Sequence, residues 1–315
     1  MSGRVWRPHC LNLKPDKLLQ IDRSVTLSSN FAQGDAMPVP TGMAATAVPS
    51  RTLRPFGEYP NVLGVTAEMQ FSPVVKFPLR ADSKGMRMID KYDYVVRDLT
   101  GAGPDGVDLV LDDGRRVPQL LPTREEAIEF AKAQRAALLR GHGGGYDVGR
   151  YDEDRRGMYT SELFAAPDEE EWRTVHVGID IGAPVGTAVH AFEDGIVHSA
   201  GYNPQVGDYG NVVVVKHFLG GAGPKCPAAV YALYGHLGAS GMDDNVPGRK
   251  VAKGQVIGEI GDCAENGGWT GSHVHFQLST AEPATHDRPG TVSRSDREEA
   301  LLIYPDPRYV LGELY

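Results

Sequence analysis

Two histidines one residue apart, His273 and His275, lie in the segment Gly-Ser-His-Val-His-Phe-Gln. The segment alternates between polar and apolar residues, which predicts a β-strand. Residues i and i+2 of a strand point to the same face, so both imidazoles would project side by side, about 6–7 Å apart along the strand. At that spacing one imidazole can bind a metal ion while the other acts on the substrate that the ion holds.

A second pair with metal-binding chemistry is His176 and Asp180, in the segment His-Val-Gly-Ile-Asp. If this segment is one extended strand, positions 176, 178 and 180 share a face, and Gly178 leaves that face open. Imidazole and carboxylate are both good zinc ligands, so this pair and one histidine of the later pair would supply three protein ligands. The fourth position would stay open for water, as a catalytic zinc site requires. Taken alone, the His-x-x-x-Asp spacing is more typical of a surface pair.

A third histidine, His236, ends an apolar run that begins near Val230. Alone it would be read as a half-buried histidine at the end of a strand. The order of the three segments along the chain gives it more weight, since the first carries His and Asp and the last carries two histidines.

The region from about Tyr159 to Leu311 resembles the lysostaphin/LytM-type zinc metallopeptidases. Their pattern is His-x-x-x-Asp, then a Tyr-x-His-Leu-like segment, then His-x-His, and this chain has all three. The phrases between them match as well, among them Gly-Ala-Pro-Val-Gly-Thr-Ala-Val, Asp-Gly-Ile-Val and Tyr-Gly-Asn-Val-Val-Val-Val. The resemblance implies that zinc is bound by His176, Asp180 and His275. It also implies that His236 and His273 are catalytic.

The chemistry expected of such a site follows from zinc, which lowers the pKa of bound water and polarises a substrate carbonyl. The chain has no His-Glu-x-x-His segment, so no glutamate base is placed as in thermolysin-like enzymes. We therefore expect His273 to be the proton shuttle and His236 to stabilise the developing oxyanion or share the shuttle. Tyr234 and Asn211 are candidates for orienting the substrate.

The C-terminal half is predicted to be all β. Its strand candidates are short and punctuated by glycine; they are 175–181, 188–192, 195–199, 212–218, 229–234, 256–260 and 274–278. Two phrases, beginning at Gly186 and Gly248, echo each other and fit a duplicated β motif. The predicted fold class is mainly β, an antiparallel β-sheet sandwich with a duplicated hybrid motif, preceded by a mixed α+β region.

Three segments are expected along the chain. Residues 1–60 are rich in Pro, Gly, Ser and Thr and are read as an extended or partly disordered arm. Residues 61–158 form an α+β region with one helix at 124–140, which begins at a capping box of Thr123 and Glu126 and ends at a glycine-rich run. Residues 159–315 form the peptidase-like domain.

Composition limits the classes of partner. The net charge is −9 over 315 residues, which argues against a nucleic-acid surface. No stretch approaches the ~20 apolar residues of a membrane span, and no apolar segment follows the basic start, so a cytoplasmic location is expected. The 3 cysteines are too few for a disulfide framework. Two of them, Cys226 and Cys263, fall in loop-like segments near the expected site; they could be extra metal ligands, but the His/Asp set already completes the ligand count. No pattern indicates the oligomeric state.

The leading functional hypothesis is a zinc-dependent endopeptidase that cleaves peptide bonds in peptidoglycan or in glycine-containing peptides. The first alternative is a cytosolic zinc amidohydrolase acting on a small peptide. The second is a binding or scaffold module that keeps the metal for structure and would need a closed four-ligand site. The arm is an additional candidate for a segment that covers the groove, hinged at residues 143–145.

Overall fold

The computed structural model describes residues 54–78, 94–100, 109–110, 116–139, 145–219 and 229–315. The strands are β1 (Val95–Val96), β2 (Leu109–Val110), β3 (Arg116–Val117), β4 (Asp147–Gly149), β5 (Glu153–Asp154), β6 (Val175–His176), β7 (Ile179–Gly182), β8 (Ala188–His190), β9 (Gly195–Asn203), β10 (Gly210–Phe218), β11 (Ala229–Leu237), β12 (Lys250–Val251), β13 (Val256–Glu259), β14 (His273–Ser279) and β15 (Thr291–Val292). The helices are α1 (Arg124–Leu139), α2 (Arg297–Ile303) and α3 (Arg308–Leu311). The prediction of a mainly β fold is confirmed; the internal duplication stays a prediction.

One large sheet organises the molecule, with strand order β1-β4-β7-β14-β11-β10-β9-β12. All of its pairings are antiparallel except the first, β1 with β4. On one face, rows of apolar residues cross the sheet, such as Ile179, Phe276 and Tyr234 in register, and all three are 0 % exposed. Burying one such side chain stabilises the fold by about 1.5–3 kcal/mol. This face therefore anchors the strands that carry the polar residues on the other side.

The opposite face of the same strands carries the candidate site. One row runs from Gly149 through Asp180 and His275 to Gly235. The neighbouring row runs from Asp147 through Gly182 to His273. Because side chains alternate along a strand, successive residues of the same strands contribute first to the apolar core on one face and then to the His/Asp rows on the other. The prediction that His273 and His275 share a face is confirmed.

The expected single strand over residues 175–181 is wrong, because the structure divides it into β6 and β7. Strand β6 pairs with β15 and β5 in a separate sheet, whereas β7 pairs with β14 and β4. The division falls at Val177 and Gly178, where a Cβ on Gly178 would lie 2.5 Å from Cε1 of His275. The chain changes sheets there without a side chain in the way, and His176 and Asp180 reach the site from two different sheets.

A β-bulge interrupts β11 beside the site. Asn211 pairs with Leu237 but Val213 pairs with Tyr234, so two residues of β11, Gly235 and His236, oppose one of β10. His236 has a φ of 62°. An extra residue reverses the alternation of side chains beyond it, which separates His236 from the face that Tyr234 occupies.

Helix α1 begins as predicted and packs beside the site. The backbone N–H of Glu126 donates to Oγ1 of Thr123 at 3.2 Å, and that hydroxyl donates to the Glu126 carboxylate at 3.0 Å. Gln134 then joins the helix to the loop before β14, donating to the Thr270 carbonyl and accepting from the Cys263 backbone N–H. The predicted last residue of the helix, at position 140, and most of the glycine-rich run lie outside the described residues.

Residues upstream of position 159 contribute to the main core. Tyr59, Val74, Val148 and Tyr151 are at most 3 % exposed and belong to the same apolar cluster as the large sheet. Pro49–Tyr315 is one compact unit. The end of the predicted arm, residues 54–60, is therefore packed, whereas residues 1–53 lie outside the described part of the chain. The division at residue 158 stays a prediction, and contacts in the structure run across it.

None of the helices in the described ranges combines the length and the apolar character that crossing a bilayer demands.

Candidate metal centre and catalytic histidines

Three side chains predicted as metal ligands converge on one point. Oδ1 of Asp180 lies 3.2 Å from Nε2 of His176 and 3.1 Å from Nδ1 of His275. The two imidazole nitrogens are 3.0 Å apart. All three residues are buried. Among the described residues, this is the group of His, Cys, Asp and Glu side chains whose ligand atoms lie close enough together to hold a metal ion.

Both imidazoles in this group are held by their other nitrogen. Nδ1 of His176 donates to the carbonyl of Arg150 at 2.8 Å, and Nε2 of His275 donates to Oε1 of Gln277 at 3.0 Å. The Gln277 amide is itself oriented, since its Nε2 donates to the Pro289 carbonyl at 3.2 Å. These contacts select the tautomers that leave a lone pair on Nε2 of His176 and on Nδ1 of His275.

The charges in the group fit a divalent cation. Burial lowers the pKa of His176 to about 4, so this imidazole is neutral near pH 7. Burial alone would raise the pKa of Asp180, but its charged and hydrogen-bonding partners, the Arg155 guanidinium among them, hold that pKa well below its usual range. Two lone pairs and one carboxylate oxygen thus face one another with no proton between them. Such acceptors repel unless a cation lies among them, and nitrogen and carboxylate oxygen are ligands that zinc accepts.

The two histidines predicted to be catalytic lie side by side next to this group. The ring centroids of His236 and His273 are 4.4 Å apart. Nδ1 of His273 donates to the Gly271 carbonyl at 2.7 Å, and Nδ1 of His236 donates to the Asn266 carbonyl at 2.8 Å. Burial lowers the pKa of both, further in His236, where the neighbouring histidines add to the effect. Each ring is therefore neutral with Nε2 free to accept a proton.

This arrangement distinguishes between the two roles expected for His236. A neutral imidazole whose Nδ1–H is committed to a carbonyl has no N–H left on Nε2 with which to stabilise an oxyanion. His236 is suited to accept a proton and becomes a donor only after it has done so. The geometry favours a share in the proton shuttle over direct oxyanion stabilisation.

The structure does not support an orienting role for Tyr234. Its side chain is 0 % exposed on the core face, and its hydroxyl lies 3.1 Å from Nε2 of His217 and 3.4 Å from the Phe192 backbone nitrogen. The bulge after Tyr234 is the physical reason, because it places Tyr234 and His236 on different faces. Asn211 lies nearer the site, where its amide donates to the Leu237 carbonyl at 3.2 Å; its orienting role stays a prediction.

Cys263 is not suited to be a ligand. It is 0 % exposed among the apolar residues beneath α1, and burial, together with the neighbouring Asp262 charge, raises the pKa of its thiol to about 12. Metal binding requires the thiolate. Cys226 lies outside the described residues.

Several residues at the site were not found by sequence reasoning. The ring of Tyr209 lies 5.3 Å from that of His275 and 5.6 Å from that of His236. The carboxylate of Asp147 lies over Gly182, 2.5 Å from where a Cβ would be, on the side of His273. Arg155 contacts Asp180 directly. Gln277 could have been found, because it follows His275 by two residues and shares its face, whereas Arg155 and Asp147 have no such signal.

Comparison with known proteins identifies a family model and curated relatives that are similar to the region of the candidate site. Residues 174–286 match the model of peptidase family M23. The DD-carboxypeptidase/endopeptidase Mpg of Neisseria meningitidis serogroup B is 34 % identical over 146 residues, covering 42 % of this chain and 29 % of that protein. The peptidoglycan DD-endopeptidase ShyC of Vibrio cholerae is 32 % identical over 117 residues, covering 37 % of this chain and 22 % of that protein. The chain thus spans under a third of the length of these curated relatives.

A solved structure is also similar to part of the chain. The catalytic domain of the antimicrobial peptidase lysostaphin from Staphylococcus simulans is 22 % identical, covering 44 % of this chain and 81 % of that domain, with a TM-score of 0.29. The His-x-x-x-Asp and His-x-His segments both lie inside the matched range 174–286. Residues 174–286, which contain the candidate site, are therefore similar to peptidase family M23.

Proposed function

We propose that this protein is a zinc-dependent endopeptidase that hydrolyses peptide bonds in peptidoglycan or similar cross-linked peptides. The observation that supports the proposal is that two sets of side chains lie next to each other at the candidate site. His176, Asp180 and His275 present three acceptor atoms to one point. His236 and His273 present two neutral imidazoles beside it.

The residues present fit zinc, which His176, Asp180 and His275 would hold. When bound, zinc would lower the pKa of a coordinated water to about 7 and polarise the scissile carbonyl. In the described part of the chain no fourth His, Cys, Asp or Glu joins the group. Three protein ligands are typical of catalytic zinc sites, and four of structural sites, which favours an enzyme over a scaffold module.

His273 is the proposed general base. Its Nδ1 is committed to the Gly271 carbonyl, so Nε2 is the atom that accepts a proton from the attacking water and returns it to the nitrogen of the leaving amine. Nε2 of His273 lies 3.9 Å from Oδ1 of Asp180, on the same side as the proposed ligand atoms. His236, with its ring beside that of His273, is placed to share this proton.

The substrate class is supported by the named activities of the relatives. Mpg is a DD-carboxypeptidase/endopeptidase and ShyC is a peptidoglycan DD-endopeptidase. We extend peptidoglycan-type peptides to this chain because the matched region contains the five site residues, 176, 180, 236, 273 and 275.

The proposal is tested by incubating the zinc-loaded full chain with purified peptidoglycan and a library of cross-linked peptides, and identifying products by mass spectrometry. We expect cleavage at defined peptide bonds and its loss on metal removal. His273→Ala and His236→Ala should each lower turnover by about 10²–10⁴-fold while keeping the metal.

His198→Ala is the matched control, since His198 lies on β9 with its Nδ1 beside the Ser199 hydroxyl, away from the ligand group. It should cleave at the wild-type rate. If the His273 and His236 variants turn over substrate at the wild-type rate, the roles proposed for these histidines are contradicted. If the zinc-loaded wild-type chain cleaves no peptide, the proposed function is contradicted.

A further inference from the structure

Arg155 is a fully buried arginine that touches the candidate metal centre. Its side chain is 0 % exposed. Nη1 donates to Oδ2 of Asp180 at 2.6 Å and to the Tyr159 hydroxyl at 3.2 Å. Nε donates to Oε2 of Glu153 at 2.8 Å. The residue precedes the range 174–286 that matches the family model, so the match itself assigns it nothing.

The guanidinium divides the two oxygens of Asp180 between two partners. Oδ2 is taken by Arg155, and Oδ1 faces Nε2 of His176 and Nδ1 of His275. A carboxylate free of such a contact can turn about its Cβ–Cγ bond or offer both oxygens to a metal ion. The contact with Arg155 leaves only Oδ1 on the ligand side.

Arg155 also reaches the contact that orients His176. Nη2 donates to the Arg150 carbonyl at 3.2 Å, and the same oxygen accepts from Nδ1 of His176. Two of the three proposed ligands are thus held by one arginine, Asp180 directly and His176 through a shared carbonyl.

The surrounding chain is shaped to hold this guanidinium. A Cβ on Gly149 would lie 2.7 Å from Nη2 of Arg155, so glycine at that position leaves the space that the guanidinium fills. The backbone runs alongside β6, with Asp152 N–H donating to the His176 carbonyl at 2.8 Å and Arg155 N–H donating to the Thr174 carbonyl at 2.9 Å. The turn places Asp152 at a φ of 59°.

A purely structural role explains this cluster poorly. Burying an ion pair costs desolvation that the attraction between the charges barely offsets, so apolar side chains would stabilise a core as well. Glu153, which is 0 % exposed, pairs with Arg155 through Oε2 and with Arg150 through Oε1. The second carboxylate that Arg155 contacts is that of Asp180, whose other oxygen faces the proposed ligand atoms.

We propose that Arg155 is a positioning residue of the metal centre, which fixes the Asp180 carboxylate so that one oxygen alone is offered to the metal ion. This rests on the metal site of the proposed function, and it adds the segment 150–155 to that site. A carboxylate that uses one oxygen leaves a coordination position free for water or substrate.

The first test compares two variants of the full chain with the wild type. One is Arg155→Lys. The other is a double variant that combines Arg155→Met with Glu153→Gln, so that removing the arginine does not leave Glu153 charged and without it. Zinc affinity is measured by competition with a chromophoric chelator, and the ligand field by the visible spectrum of the cobalt(II)-loaded protein. We expect a 10–100-fold loss of affinity and a weaker cobalt spectrum, because Oδ2 of Asp180 becomes available and the coordination number rises.

Arg294→Lys is the matched control. Arg294 forms an ion pair with Asp154 on β5, next to Glu153, and touches none of the proposed ligands. It should keep both the affinity and the cobalt spectrum. Folded Arg155 variants with the zinc affinity and the cobalt spectrum of the wild type would overturn the proposal. A residue that only supports packing would give that result, because its loss lowers thermal stability but leaves the spectrum of the folded fraction unchanged.

A second measurement needs no variant. X-ray absorption of the zinc-loaded wild-type chain should show a carboxylate that binds through one oxygen, and a carboxylate bound through both oxygens would overturn the proposal even if every Arg155 variant fails to fold. A wild-type chain that takes up neither zinc nor cobalt would instead contradict the proposed function. The two failures are therefore distinguishable.

Discussion

At the scale of single residues, backbone strain marks the candidate site. Among the described residues, those other than glycine with a positive φ are Asp152 and His236. A left-handed φ in such residues costs on the order of 1–3 kcal/mol and persists where neighbouring contacts impose it. The backbone of His236 is fixed by two hydrogen bonds. Its N–H donates to the Tyr209 carbonyl, and its carbonyl accepts from the Gly261 N–H. Asp152 lies in the turn that carries Arg155 to Asp180. Both strained residues therefore adjoin the proposed catalytic machinery.

Residue types and spacing indicated His176, Asp180 and one histidine of the later pair, and the family resemblance implied the full set of five; the structure brings all five together. What they could not predict is the set of contacts that fixes each ligand. These contacts come from the Arg150 carbonyl, the Arg155 guanidinium and the Gln277 amide. Only the folded chain brings those groups to the ligands. The burial of Tyr234 was not foreseen for a similar reason, since the one-residue bulge that separates it from His236 has no sequence signal.

Buried histidines away from the site make the stability of the protein depend on pH. His217 is 0 % exposed; its Nδ1 donates to the Glu193 carbonyl at 2.8 Å and its Nε2 accepts from the Tyr234 hydroxyl. Burial lowers its pKa to about 4, against about 6.5 in an unfolded chain. Below pH 6.5 the unfolded state binds the extra proton, so the stabilisation is complete above pH 6.5 and declines as the pH falls towards 4.

We predict that His217 accounts for about 2 kcal/mol of the stability lost between pH 6.5 and 5. Urea unfolding of metal-free wild type and His217→Gln at the two pH values measures it. The variant should be less stable at pH 6.5, because it loses a buried hydrogen bond, yet lose less on acidification. An equal loss in both proteins would contradict the assignment.

At the scale of elements, glycines set how closely the site strands approach. The periodic pattern predicted where most strands lie, because one apolar face alternates with one polar face. It missed the break between β6 and β7, since Val-His-Val-Gly-Ile-Asp-Ile reads as one continuous strand. The division depends on a tertiary contact, the ring of His275 against Gly178, which no local pattern encodes.

Gly178→Ala should disturb the metal centre without replacing a ligand. Its Cβ would lie 2.5 Å from Cε1 of His275 and 2.9 Å from the Phe276 carbonyl, so both a ring and a backbone atom would have to move. We expect a zinc affinity at least 10-fold lower and a loss of about 1–3 kcal/mol in stability. Chelator competition and urea unfolding measure the two effects.

Gly271→Ala provides the comparison, because a Cβ there meets only Oε1 of Gln119, at 3.6 Å. It should bind zinc as the wild type does. If Gly178→Ala also binds zinc with unchanged affinity, the close contact between Gly178 and His275 is not what positions that ring.

At the scale of the whole molecule, the site depends on residues well outside the matched family range. Arg308, in α3, lies over the rings of Phe56, Tyr59 and Tyr315 at 4.4–5.6 Å, and Tyr59 donates to Asp152 at 2.9 Å. These contacts join the described upstream residues to the C-terminal helices and to the turn behind the metal centre. Sequence periodicity did not find them, because irregular segments that pack through aromatic rings and arginines have no repeating pattern.

The central claim is that His176, Asp180 and His275 together hold one metal ion, and the zinc content of the purified full chain tests it most directly. Elemental analysis of wild type and of the three single alanine variants, after equilibration with a weak chelator, gives the answer. We predict about one zinc per wild-type chain. Each alanine variant should lose more zinc affinity than the 10–100-fold typical of changes to residues that only contact a ligand, and should therefore be essentially metal-free. Stoichiometric zinc retained in all three variants would contradict the account.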